Sequence, residues 1–296
     1  MGSTINRTLF LMKKIFTMNE LKTILVPADF TQNTEVALQK AKAFAGNAAA
    51  IHLINVQSPV IYGSASLAYR YQIHPVAEQN AHGAKKKLLQ WKYAIESSTA
   101  NIRVYTHAVS HPSIQTAIAE KARDVCADLI VIAKTSQHAW FPFLNAVVPS
   151  QLALQTGILV LTVKPGSVQQ KLQTIVVPVT TQAFLPKLEI IQSICRQRSI
   201  RVHLLTLMSD HHAPADFHAA IVQKAMQSLR SSGCIVHFHT VHGTNRAKAI
   251  LAYAQTVNAD MVLVNPVKET RLDAFRRNLS DVLAPSSKLQ VWAVNG

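Results

Sequence analysis

The chain repeats itself, and the repeat limits what it can fold into. Thr23-Ile24-Leu25-Val26-Pro27-Ala28-Asp29 aligns with Thr174-Ile175-Val176-Val177-Pro178-Val179-Thr180 at an offset of 151 residues. The same offset sets Ile51-His52-Leu53-Ile54-Asn55-Val56 over Val202-His203-Leu204-Leu205-Thr206-Leu207. Further on the offset falls to 132, matching Ala127-Asp128-Leu129-Ile130-Val131-Ile132 to Ala259-Asp260-Met261-Val262-Leu263-Val264, and His107 to His239. Solenoid units are only about 20–50 residues long, so a period this large means a duplicated domain. The shift in offset assigns 19 extra residues to the first copy. Residues 59–75, with Tyr62, Tyr69 and Tyr71, are the expected insertion.

Within each copy, short β-branched apolar runs alternate with helical patterns. In the first copy the runs are 23–28, 51–56, 102–109, 128–133 and 158–163, as expected of buried strands. Thr31, Gln32, Asn33 and Thr34 can cap a helix with Leu38, Ala41 and Ala45 on one face. Ala77, Ala81, Ala84, Leu88, Trp91 and Ile95 trace a second helix, Ile114, Ala117 and Ile118 a third, and residues 150–155 a short fourth. The second copy offers strands near 173–179, 201–207, 234–241, 260–265 and 289–294. This alternation predicts an α/β protein with a doubly wound parallel sheet in each copy. Lys164-Pro165-Gly166-Ser167 ends the first copy, because a helix does not readily cross Pro-Gly. The expected organisation is a tail (1–21), a first domain (22–167) and a second domain (168–296).

Several functional classes are disfavoured. Half the residues are apolar (49%) and only 15% are charged, which excludes a largely disordered chain. No stretch approaches 18 consecutive apolar residues, and the leading segment lacks the layout of a secretory signal, so a cytoplasmic protein without a membrane span is expected. Cys126, Cys195 and Cys234 follow no disulfide or zinc spacing and fit a reducing compartment; Cys126, just before a buried strand, reads as a core thiol. There is no Gly-x-Ser-x-Gly elbow, Walker lysine loop or dinucleotide glycine fingerprint, so the chain reads as non-enzymatic. Among 13 histidines, His237 and His239 alternate on one strand face, with His211-His212 and His242 elsewhere; without a His-Glu-x-x-His helix or a Cys pair they read as scattered, with no metal site. Thirty Lys and Arg against 15 Asp and Glu give a net charge of +15. Lys85-Lys86-Lys87 with Lys92, Arg196 with Arg198 and Arg201, and Arg276-Arg277 fall at separate points without interleaved aromatics. Solvated faces are the preferred reading, and a basic nucleic-acid-binding protein is an alternative.

Ile24-Leu25-Val26-Pro27-x-Asp29, the His52-Leu53-x-x-Val56 strand and Ala127-Asp128-Leu129-Ile130-Val131 together resemble the universal stress protein family, in a tandem form. The resemblance spans residues 22–296 and implies, for each copy, a five-stranded sheet of order 3-2-1-4-5 with the adenine nucleotide alpha hydrolase-like fold. It also implies that the copies pair through their last strands as an intramolecular pseudo-dimer.

Open parallel sheets bind ligands beyond the strand carboxyl ends, where strand order reverses. By the resemblance, the first-copy site comprises Pro27, Ala28, Asp29, Val56, Ala133, Lys134, Thr135 and Ser136. Family members that bind ATP use the Asp after strand one and a glycine loop after strand four, since glycines let backbone N–H groups approach phosphate at a helix start. This sequence departs from that pattern. Residues 133–150 contain no glycine, and neither do residues 265–280, while Thr180 replaces the aspartate in the second copy. Trp140-Phe141-Pro142-Phe143 reads as a plug over the phosphate position or as core packing. The expected function is therefore a non-enzymatic stress-response protein that binds a partner or small ligand, with its ATP sites largely lost and no cofactor. The alternative is a nucleotide sensor binding ATP or another adenine nucleotide around Asp29 in the first domain only. A homodimer and an unidentified protein partner are both compatible with the sequence.

Overall fold

A computed structural model describes residues 21–57, 67–134, 147–167, 171–179, 184–196, 199–208, 216–243, 245–266 and 287–294; within these, the side chains of 67–81, 184–186, 207–208, 216–219 and 221 are outside the description. The tail, the 140–143 aromatic run, Thr135 and Ser136 lie outside the described residues. The first half runs β1 (Thr23–Pro27), α1 (Gln32–Phe44), β2 (Ala49–Gln57), α2 (Leu67–Ser98), β3 (Ile102–Ser110), α3 (Ile114–Asp124), β4 (Leu129–Ala133), α4 (Pro149–Thr156) and β5 (Leu159–Val163). The second half runs β6 (Thr174–Pro178), α5 (Phe184–Cys195), β7 (Arg201–Met208), α6 (Asp216–Ser231), β8 (Ile235–His242), α7 (Arg246–Thr256), β9 (Met261–Val264) and β10 (Gln290–Ala293).

All ten strands form one sheet of order β3-β2-β1-β4-β5-β10-β9-β6-β7-β8. Each half therefore has the order 3-2-1-4-5, parallel throughout, and the halves meet at an antiparallel β5–β10 ladder. The register of this ladder reveals its symmetry. Leu161 pairs with Val131 in the first half and Trp292 with Leu263 in the second, which makes Leu161 and Trp292 counterparts. These two residues face each other directly across the joint, so the pseudo-two-fold axis passes between them.

One face of the sheet carries a single core running through both halves, from Ile24, Val26 and Leu53 to Val177, Val202 and Leu263, covered by α1, α2, α5 and α6. Trp292 is fully buried in it and meets the Phe44 ring edge-on at 5.1 Å, so a strand of the second half packs on a helix of the first. The opposite face has two separate clusters, under α3 and α4 in the first half and under α7 in the second.

Three features differ from the sequence expectation. The extra length of the first half is partly helix: α2 spans 32 residues against 16 for α6, and Pro75, the last residue of the expected insertion, lies inside it. Cys195, at the end of α5, and Cys234, before β8, form a disulfide with Cα atoms 5.6 Å apart. Their separation of 39 residues hid the pairing, which the packing of α5 beside the β8 edge creates. Cys126 is exposed, not a core thiol, because it sits at the turn after α3 with φ of 51°.

Candidate functional site

The crevice of the first half opens where β1 and β4 part. Their ladder joins Ile24 to Leu129 and Leu25 to Ile130, and Pro27-Ala28-Asp29 and Ala133-Lys134 continue from the two carboxyl ends. Ala28 is fixed on both sides: its N–H donates to Ile54 O (2.8 Å), and the buried Asn55 Nδ2 donates to its carbonyl (2.8 Å). Val56 is buried but packs into the cluster on the α3 side of the sheet, while Ala133 belongs to the core on the other face.

Asp29 turns back onto the helix that follows it. Its Oδ1 accepts from Thr31 N (3.0 Å), Thr31 Oγ1 (2.6 Å) and Thr34 Oγ1 (2.6 Å), and its own N–H donates to Thr34 Oγ1 (2.9 Å). Thr31 is the N-cap of α1, accepting from Asn33 N at 3.2 Å. A carboxylate next to the first turn is also favoured by the helix dipole. Phe30 adopts φ of 59°, and its ring packs edge-on against Trp91 of α2 (6.1 Å), with Lys87 Nζ 5.4 Å from its centroid.

Lys134 is 7% exposed, and its ammonium donates to the Val147 carbonyl at 2.9 Å, just ahead of α4. The side chain thus crosses from the end of β4 toward the start of α4. In the second half Val179 repeats the Ala28 bond, donating to Leu205 O at 2.9 Å. The cation there comes from a different element: Lys187, in the first turn of α5, is fully buried and donates to Pro178 O at 3.1 Å. Each crevice thus holds a buried lysine bound to a backbone carbonyl. The site residues Ala28, Asp29 and Lys134 line the same strand ends, whereas Val56 points away into packing.

Sequence reasoning missed Asn55 and Lys187, and offered Thr34 for the helix cap without linking it to Asp29. A signal for Lys187 was present, since it shares a 3- and 4-residue stripe with Ile190, Ile191 and Ile194, a position where a lysine is out of place unless its ammonium finds a partner. The paired aspartates of the Ala-Asp motif act structurally. Asp128 Oδ2 accepts from the N–H groups of Lys22 (2.9 Å) and Thr23 (3.0 Å), and Asp260 Oδ2 from those of Gln173 and Thr174 (both 2.9 Å). Each buried carboxylate pins the start of its central strand.

A family model described as the universal stress protein family matches residues 20–164. The first half of the chain, residues 20–164, belongs to the universal stress protein family. A universal stress protein from Archaeoglobus fulgidus DSM 4304 is similar over 94% of this chain and 97% of its own, with a TM-score of 0.63 at 15% identity. A functionally unknown protein from Pseudomonas aeruginosa PAO1 is similar over 94% of each chain, with a TM-score of 0.50 at 15% identity. At these identities the likeness concerns the fold. No curated protein matches the chain in sequence. Among the described residues, no helix of this universal stress protein is long and apolar enough to cross a membrane.

Proposed function

We propose that this universal stress protein acts by binding a partner or a small ligand, without catalysis and without a glycine-cradled ATP in either half. The observation that carries this reading is the Lys134–Val147 bond. The glycine-free chain after β4 offers little room for backbone N–H groups to approach a phosphate, and among the described residues the buried Lys134 ammonium is bonded to a carbonyl of the same crevice. Asp29 supports the reading, because its carboxylate is engaged by two threonine hydroxyls and a backbone N–H of the α1 cap. A cytoplasmic location goes with the reading.

Denaturing the purified full-length protein and identifying released small molecules by mass spectrometry tests the reading. No stoichiometric nucleotide is expected. A stoichiometric adenine nucleotide that disappears in Asp29→Ala would instead establish the first-half nucleotide sensor. Retention on heparin at low salt that collapses as salt rises would favour nucleic acid. Lys85, Lys86 and Lys87 are exposed on α2, where the neighbouring Lys92 pairs with Glu96 at 4.0 Å, as on an ordinary solvated face.

A further inference from the structure

The face of the sheet opposite the continuous core is uncovered toward its two outer edges, and both edges carry histidines at repeat-related positions. On the second half His203 of β7 pairs in register with His237 of β8, and Leu205 with His239. The three rings lie together: centroids are 4.9 Å apart for His203–His237, 5.6 Å for His203–His239 and 6.5 Å for His237–His239. His203 Nδ1 is bonded to the Tyr253 hydroxyl of α7 at 2.9 Å. His237 and His239 are exposed and His203 is half-buried.

We propose that His203, His237 and His239 form a binding site for a borderline divalent transition cation such as Zn2+. An imidazole bound at about 2.1 Å has its centroid about 3.2 Å from the ion, so two rings on a tetrahedral ion have centroids about 5.2 Å apart. The observed spacings bracket that value. As they stand the rings are stacked, and no three His, Cys, Asp or Glu side chains among the described residues are arranged around a common ion. Rotation of two exposed side chains about their own torsions is what closure requires, and exposed rotamers interconvert freely. His203 is the fixed member. With Nδ1 held by Tyr253, its Nε2 is the ligand atom, the arrangement in which metal-binding histidines are oriented by a partner on the other ring nitrogen.

The first half provides the control. His52, Tyr105 and His107 occupy the counterpart positions, so one of three ligands is a phenol, and the remaining imidazoles bond each other at 3.0 Å. One cation per chain is therefore expected, held in the second half. Full-length protein stripped with a chelator is titrated near neutral pH with Zn2+ by calorimetry and with Co2+ by visible absorption. One equivalent of Zn2+ should bind, with the intense d–d bands of tetrahedral Co2+. His203→Ala and His239→Ala should weaken binding about 100-fold, and Tyr253→Phe about tenfold, as for loss of an orienting partner. His237→Ala, at an exposed position on an edge strand, should do the same as His239→Ala without a risk to folding. His52→Ala and the double variant His211→Ala/His212→Ala should leave affinity unchanged. No binding tighter than about 100 µM, or binding that survives His203→Ala and His237→Ala, overturns the proposal. So does loss on substituting His52 or His211 and His212 alone.

Discussion

The two halves keep the same frame and differ at the rims of their crevices. The carboxylates of Asp128 and Asp260 hold equivalent strand starts with near-identical distances. The helices α3 and α7 are both capped by a side chain 132 residues apart, Ser113 and Asn245, and both end with the same backbone bonds at Val125 and Val257. At the crevices the resemblance stops. The first half has an aspartate bonded to the capping turn of α1 and a lysine after β4, whereas the second places its lysine in a helix. Parts that set the sheet tolerate few solutions, while rims tolerate many, and the duplication separates the two kinds of constraint.

The joint is where symmetry is most visibly broken, and its disruption should have the largest effect. Trp292 faces its smaller counterpart Leu161 and adds a ring contact with Phe44. Trp292→Ala is expected to cost about 3–5 kcal/mol, toward the upper part of the range for a buried aromatic, and Leu161→Ala about 2–4 kcal/mol. Urea unfolding of both variants measures this. Equal costs would mean that the Phe44 contact adds nothing and that the two strands hold the joint alike.

Next in size are the paired aspartates. Asp128→Ala and Asp260→Ala each orphan two strand-start N–H groups and are expected to cost about 2–3 kcal/mol apiece. The comparison predicts equality. A clearly smaller loss for Asp260→Ala would show that the second half no longer depends on the device it retains.

Much of this frame was legible in the sequence, because strand spans and their alternation are written in local apolar runs. The ends of β1, β5, β6 and β10 fall within a residue or two of the expected ones. Pairing of the halves through their last strands came from the family resemblance, and no residue pattern announced it. What stayed hidden depends on contacts between distant segments. The disulfide joins residues with no spacing signature, and the bond of Lys187 to Pro178 O depends on how α5 lies against β6. Pro75 closed the expected insertion, yet α2 runs through it. Asp29 was visible as a ligand candidate, and the positions of Thr31 and Thr34 show its carboxylate bonded to the capping turn of α1.

A smaller effect is expected from pH. Burial first, then the charges of His107 and Lys121, lower the His52 pKa to about 4; burial and Lys121 also lower His107, with Asp124 opposing. The fold favours neutral rings, while the unfolded chain takes up protons at about pH 6.5. Stability from this pair is therefore complete above about pH 6.5 and is lost as pH falls toward about 4. Urea midpoints measured across that window, in chelator, should decline less steeply in His52→Gln than in the parent. An unchanged slope would assign the acid sensitivity elsewhere, and the counterpart His203, with its pKa also lowered to about 4, is the next residue to substitute.

The smallest effect sits at the turn after the third helix of the first half, where the copies offer a direct exchange. Cys126 and Asn258 are counterparts 132 residues apart, and both adopt left-handed backbone, with φ of 51° and 50°. Asparagine enters this region more readily than cysteine, because its short amide bonds locally to the backbone. Cys126 is exposed, so its side chain contributes little packing to lose. Cys126→Asn is therefore expected to stabilise the protein by about 0.5 kcal/mol, and Asn258→Cys to destabilise it by a similar amount. Thermal and urea unfolding of the two variants and of the double exchange measure this. Additivity is expected, since the two turns lie in different halves of the sheet. A loss of stability in Cys126→Asn would mean that the thiol makes a contribution the second half has given up, and the two turns would no longer count as interchangeable.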